Sequence, residues 1–236
     1  MQDIKKRNSI KKQRIPKRSE EQQIRAKKRS GKLYKLLNEE KNRCILMDDE
    51  TYVKMNTSTL PGPQFYNVIK GQVVNDKMKK IQVDKFGKKV LVWQAICSCG
   101  LKSSSFFTFG TIKGEDYRKE CIQKRLLPLY RKHNIPPLFW PDLASAHYAN
   151  ATLEFLTRKN IKFVVKEDNP PNCPELRPVE RYWALVKKHL KKDGREAKTL
   201  EEFRKIWMTA ARKVTENGVR RLMESIKSKV RKFYRS

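Results

Sequence analysis

The sequence predicts a mixed α/β domain, a sheet flanked by helices, and three observations predict it. Hydrophobic runs rich in strand formers cluster near residues 44–53 and 90–96, with turn residues after each. Beyond residue 115 the apolar period lengthens to that of amphipathic helices, which alternate with short apolar strands. The 236 residues suit one large domain with appendages and supply a substantial core.

Residues 1–32 are rich in Lys, Arg, Gln and Ser and read as a basic arm with too little apolar surface to order itself. Helix formers dominate from Glu20 to Asn42, and Leu33, Leu36 and Leu37 recur at helical spacing. Cys44 to Val53 is the first expected strand, closed off by Pro61-Gly62-Pro63. Phe65–Ile69 and Val90–Ile96 follow as strands, with 105–109 as an edge partner. Tyr117, Cys121, Ile122, Leu126, Leu127 and Tyr130 share one face of a helix that ends before Pro136-Pro137. Leu138-Phe139-Trp140 is a short strand, and a helix after Asp142 with Ala149, Leu153, Phe155 and Leu156 inward leads to a strand at 161–165. Pro170 to Pro178 excludes regular structure, and Val179, Trp183, Val186 and Leu190 then mark a helix opened by Glu180. The stretch from Leu200 to Tyr234 reads as two helices around Glu216-Asn217-Gly218. The expected divisions are a basic arm and linker helix at 1–43, a central α/β domain at 44–195, and basic C-terminal helices at 196–236 packing on it.

Lys and Arg number 55 against 25 Asp and Glu, a formal charge of +30 that calls for a polyanionic partner, with nucleic acid foremost. Such binding weakens steeply as salt rises, because it is driven by counterion release. The basic start lacks the apolar run of a secretory signal, and no window is long and apolar enough to span a bilayer, so a membrane partner is not expected. The five cysteines are scattered and read as reduced thiols of an intracellular protein. Cys97-Ser98-Cys99 has the look of a metal knuckle, but there is no second Cys pair and His133, His147 and His189 are far apart, so no structural zinc is expected. The cluster around Lys11-Lys12 serves equally as a nuclear import signal or a DNA contact.

Three acids stand in telling contexts: Asp49 in an apolar strand, Asp142 after Phe139-Trp140-Pro141, and Glu180 opening a helix after a proline loop. Carboxylates gathered into one crevice repel one another unless divalent cations sit between them, which is the requirement of two-metal phosphoryl transfer. The structural alternatives are a helix cap for Asp142 and a helix-dipole partner for Glu180. Side chains alternate across a strand, so only one of Asp48 and Asp49 faces the site.

These segments resemble the catalytic domain of DDE transposases of the Tc/mariner superfamily, relatives of retroviral integrases. Asp49-Glu50 looks like that family's first motif, and Trp140-Pro141-Asp142 with His147 five residues on looks like the second. Cys173-Pro174-Glu175-Leu176-Arg177-Pro178-Val179-Glu180-Arg181-Tyr182-Trp183 resembles Ser-Pro-Asp-Leu-Asn-Pro-Ile-Glu-x-x-Trp. The 37 residues between Asp142 and Glu180 fit the mid-thirties separation of the family. Leu143 stands where the family has Asn, and Glu175 where it has Asp.

The resemblance implies an RNase H-like fold, with Asp49, Asp142 and Glu180 holding two Mg2+ or Mn2+ ions. It also implies cleavage of double-stranded DNA at transposon ends followed by joining to target DNA, within a homo-oligomer and in the nucleus. His147 is a candidate neighbour of the metal or DNA, and Lys187, Lys188 and Lys191 are candidate phosphate contacts. Trp183 is expected to anchor the core. Family members carry two helix-turn-helix units ahead of the catalytic domain; residues 1–43 are too few for them, so terminal-repeat recognition is expected outside this chain. A catalytically silent, transposon-derived DNA-binding protein and a nuclease without strand transfer are the competing readings.

Overall fold

The computed structural model describes residues 17–61 and 87–236; the expected strand at Phe65–Ile69 lies outside them. Four strands, β1 (Ile45–Lys54), β2 (Lys89–Cys97), β3 (Phe106–Thr108) and β4 (Leu138–Trp140), form one sheet in the order β3-β2-β1-β4. β1 pairs antiparallel with β2 and parallel with β4, and β2 pairs antiparallel with β3, so the sheet is mixed.

Alternation along the strands divides the core in two. Met47, Val90, Val92, Ile96 and Trp140 point to one face and join α1 (Glu20–Glu39), α4 (Pro178–Asp193), α5 (Leu200–Lys213), α6 (Glu216–Met223) and α7 (Ile226–Arg235). Leu46, Trp93, Ala95, Cys97 and Phe139 point to the other, against a helical segment α2 (114–130) and α3 (Asn150–Arg158). Both faces are buried, which explains why β2 reads as a continuous apolar run. The first helix opens on a capping box in which Ser19 accepts from Gln22 N and the Gln22 side chain accepts from Ser19 N. Its Ala26, Leu33 and Leu37 enter the same core as α7, where Tyr34 lies 5.6 Å from Tyr234.

Four sequence expectations are corrected. The middle of α2, Tyr117–Leu126, is wound as a π-helix; its buried Tyr117, Cys121, Ile122 and Leu126 recur every four to five residues, a spacing that suits i→i+5 winding better than an ordinary α-helix. The segment after Asp142 turns before it becomes helical at Asn150, so His147 lies in the turn. Residues 161–165 form no regular strand: Phe163 makes an isolated parallel bridge to Phe139, held by Phe139 N to Lys162 O at 2.9 Å and Val164 N to Phe139 O at 2.8 Å. The C-terminal region holds three helices, because Thr215 caps α6 by accepting from Gly218 N, which places Glu216-Asn217-Gly218 inside its first turn. No helix among the described residues is long and apolar enough to cross a membrane.

Candidate active site

The Asp48-Asp49 pair straddles β1, and the two carboxylates go opposite ways. Asp48 is fully buried on the α2 face, where its Oδ2 accepts from Trp93 Nε1 at 3.0 Å and from the Tyr117 hydroxyl at 2.6 Å. Asp49 turns to the α4 face, and its Oδ2 accepts from Trp183 Nε1 at 3.1 Å. Trp183 is therefore a core anchor, as expected, and also orients Asp49 through its indole N–H, a role sequence reasoning missed.

β4 runs parallel to β1 with Trp140 opposite Met47, which carries the chain into Pro141-Asp142 beside the middle of β1. The loop after Trp140 is fixed by Asn169, a buried side chain that accepts from Trp140 Nε1 at 2.8 Å and donates to the Pro141 carbonyl and the Tyr148 hydroxyl, both at 2.9 Å. The proline loop of residues 170–178 then delivers Glu180 to the first turn of α4. Asp49, Asp142 and Glu180 line one cavity of about 370 Å3, together with Leu143, Asn169 and Arg177.

The charges in this cavity are under strain. Burial pushes the Asp49 carboxyl up to about 7; the neighbouring Asp142 and Glu180 carboxylates push in the same direction, against the pull of the Arg177 guanidinium. Glu180 is raised as well, by burial first, with Asp142 adding to it and Arg177 and Lys187 opposing. Arg177 is the second group that sequence reasoning missed. Its guanidinium donates to the carbonyls of Asp48 at 2.6 Å and Pro141 at 3.1 Å and lies 5.7 Å over the Trp140 ring, so one side chain ties all three acid-bearing segments together. The signal was its place inside the Pro-Glu-Leu-Arg-Pro motif.

His147 is buried and stacked on Tyr117 with ring centroids 4.0 Å apart. Its Nδ1 lies 3.1 Å from the Asp142 carbonyl and its Nε2 3.6 Å from Glu50 Oε1. Burial lowers its pKa, but the surrounding Asp48, Glu50 and Asp142 carboxylates outweigh it and leave the imidazole above its ordinary value. Its carbonyl partner makes it a support for the Asp142 loop. Lys187 donates to Thr51 Oγ1 at 2.6 Å beside the carboxylates, and burial lowers its pKa. With Lys188 and Lys191 it lines an adjoining cavity that also holds Tyr52, Lys54 and Lys89.

The donor set suits hard divalent cations, which take oxygen ligands, and the ionisation cost at Asp49 and Glu180 is what a bound cation would relieve. Comparison with solved structures places the same fold in Mos1 transposase. Its paired-end complex with the left transposon end superimposes with a TM-score of 0.76 at 18% identity, covering 98% of this chain and 67% of that one. Its strand transfer complex gives 0.75 at 18%, covering 98% and 66%. The isolated catalytic domain of Mos1 mariner transposase gives 0.65 at 17%, covering 94% and 97%. This chain thus spans about two thirds of the longer transposase chains and nearly all of the catalytic domain, and its helix-flanked mixed sheet is of the RNase H-like kind. No curated protein matches the sequence. The family model described as DDE superfamily endonuclease matches residues 65–204, and the chain belongs to that family.

Proposed function

We propose that this chain is the catalytic part of a DNA transposase, in which Asp49, Asp142 and Glu180 hold two divalent ions, Mg2+ or Mn2+, for DNA strand cleavage and joining at transposon ends. The observation that carries the reading is the convergence of three carboxylates from distant parts of the chain on one cavity, where Asp49 is pushed up to about 7. Bound ions would supply charge neutralisation for the phosphoryl group under attack. Trp183 fixes the Asp49 carboxylate, Asn169 and His147 hold the Asp142 loop, and Arg177 locks that loop to β1. Water and then a DNA 3′-hydroxyl are the attacking groups in this reading. The lysine-lined cavity beside the carboxylates gives the DNA backbone a track, with Lys187, Lys188 and Lys191 as phosphate contacts. The partner is double-stranded DNA, bound by a homo-oligomer in the nucleus; the paired-end and strand transfer complexes formed by Mos1 transposase support the first part of this.

The competing reading, a silent DNA-binding descendant, is favoured by Leu143, which lines the cavity with an apolar side chain beside Asp142. The test incubates labelled DNA bearing candidate transposon ends with Mn2+ and compares the wild-type chain with Asp142→Asn. Metal-dependent nicking that disappears in the variant supports the transposase; salt-sensitive binding with no nicking by either protein supports the silent one.

A further inference from the structure

At the far end of β1 from the carboxylates, four side chains with no part in that site come together. Cys44 directly precedes β1, Cys97 ends β2, Cys99 follows in the turn, and His133 lies just beyond α2. Their sulfur and nitrogen ligand atoms all lie within 4.8 Å of one another. His133 Nε2 is 3.2 Å from Cys97 Sγ and 3.3 Å from Cys99 Sγ. In a tetrahedral zinc site the ligand atoms stand about 3.5–3.8 Å apart, as bond lengths of about 2.3 Å for sulfur and 2.0–2.1 Å for nitrogen require.

The surroundings are those of a prepared site. His133 Nδ1 lies 3.1 Å from the Leu129 carbonyl and 3.3 Å from that of Tyr130; donation there puts the proton on Nδ1 and leaves the Nε2 lone pair facing the sulfurs. Cys97 to Gly100 is a tight turn in which Gly100 N donates to the Cys97 carbonyl at 2.9 Å, and Gly100 has a φ of +101°. A Cβ there would meet the Glu216 carbonyl at 2.5 Å, so the turn that presents both thiols needs glycine. Ser98 stitches the turn to β1, its N donating to the Ile45 carbonyl and its Oγ accepting from Ile45 N, both at 2.9 Å, which holds Cys44 against the pair. As free thiols, Cys97 and Cys99 would compete for a single imidazole lone pair.

We propose that Cys44, Cys97, Cys99 and His133 form a structural zinc site, three thiolates and one imidazole, that clamps the start of β1 to the end of β2 and to α2. This departs from the sequence expectation, which sought a second Cys pair and found the histidines spread along the chain. The fourth position is filled by protein, so the ion has no open coordination place and serves the fold. At about 3.3 Å per strand residue, Cys44 stands about 16 Å from Asp49, so the centre is separate from the carboxylate cavity. Binding replaces three S–H bonds by Zn–S bonds and releases the three protons to solvent, with no change of oxidation state.

The test uses the full chain purified without chelator and dialysed, with bound metal measured by mass spectrometry and Co2+ added to apoprotein for its visible spectrum. The expected result is about one zinc per chain, released when the thiols are blocked by an organomercurial, and a tetrahedral thiolate–cobalt spectrum. Cys99→Ser and His133→Asn should lose the zinc, whereas Asp142→Asn should retain it. The wild-type cobalt spectrum decides the matter even if the variants fail to fold. Folded wild-type protein that holds less than a tenth of an equivalent of zinc and gives no thiolate–cobalt spectrum overturns the proposal; so does zinc that Asp142→Asn loses, or iron in place of zinc.

Discussion

Replacing Asp49 by Asn should make the ion-free protein more stable while removing its response to Mn2+. The Asp49 carboxyl rises from its ordinary 3.8 to about 7 in the fold, chiefly through burial, with Asp142 and Glu180 contributing. At 1.36 kcal/mol per pH unit, ionising it natively costs about 4 kcal/mol more than in the unfolded chain; the open mouth of the cavity screens part of this, leaving about 2–4 kcal/mol. Below pH 3.8 the group is protonated in both states and there is no cost. Between 3.8 and about 7 the native state holds a proton that the unfolded state has lost, so stability falls as pH rises, and above about 7 the whole cost is present. Asn preserves the acceptor for Trp183 Nε1 and lacks the charge. The assay is thermal unfolding of wild type and Asp49→Asn from pH 4 to 9, without added divalent ions and again with Mn2+. At pH 8 without ions the variant should melt about 5–15 °C higher, since 1 kcal/mol moves Tm by about 2–4 °C at this chain length. The gap should close towards pH 4, and Mn2+ should raise Tm for the wild type alone. Equal melting of the two proteins at pH 8 without ions would refute the electrostatic account of the cavity; an Asp49→Asn protein that responds to Mn2+ like the wild type would refute the metal role of Asp49.

Tyr117→Phe removes the buried 2.6 Å hydrogen bond to Asp48 and should cost about 1.5–3 kcal/mol in urea unfolding, since the acceptor is a carboxylate. Arg177→Lys keeps a cation near Asp49 but loses the fork onto the Asp48 and Pro141 carbonyls; Mn2+-dependent nicking should fall about a hundredfold with DNA affinity little changed. Lys188→Ala with Lys191→Ala should weaken binding of any DNA sequence and lower the slope of log affinity against log salt by about 2, measured by fluorescence anisotropy. Gly100→Ala forces a Cβ onto the Glu216 carbonyl at a backbone conformation that favours glycine and should cost about 1–3 kcal/mol, read by the same urea titration.

The sequence by itself determined what depends on neighbours along the chain. Apolar runs rich in strand formers located β1 and β2, and Val179, Trp183, Val186 and Leu190 marked α4 correctly because a helix must keep one face in the core. The same local patterns put Asp49, Asp142 and Glu180 forward, since Asp49 lies within a strand, Asp142 just after one and Glu180 in the first turn of a helix, each inside a recognisable motif. Where the local pattern is ambiguous it misleads: the apolar face of α2 predicts ordinary helix where the chain winds as a π-helix, and 161–165 predicts a strand where only an isolated bridge forms.

Tertiary structure alone decided which groups meet. The pairing register sets Asp48 under Trp93 and Tyr117 and leaves Asp49 to the cavity; it also sets Leu46 opposite Cys97, which brings Cys44 to the Cys97-Ser98-Cys99 turn. His133 reaches that turn because α2 packs across the opposite face of the sheet from α4, and Arg177 reaches two backbone carbonyls because the proline loop folds back over β1 and β4. Helical and strand periods are imposed by contacts a few residues apart, whereas a shared ligand set or a bridging guanidinium depends on strand pairing between segments far apart in the chain, which no local spacing encodes.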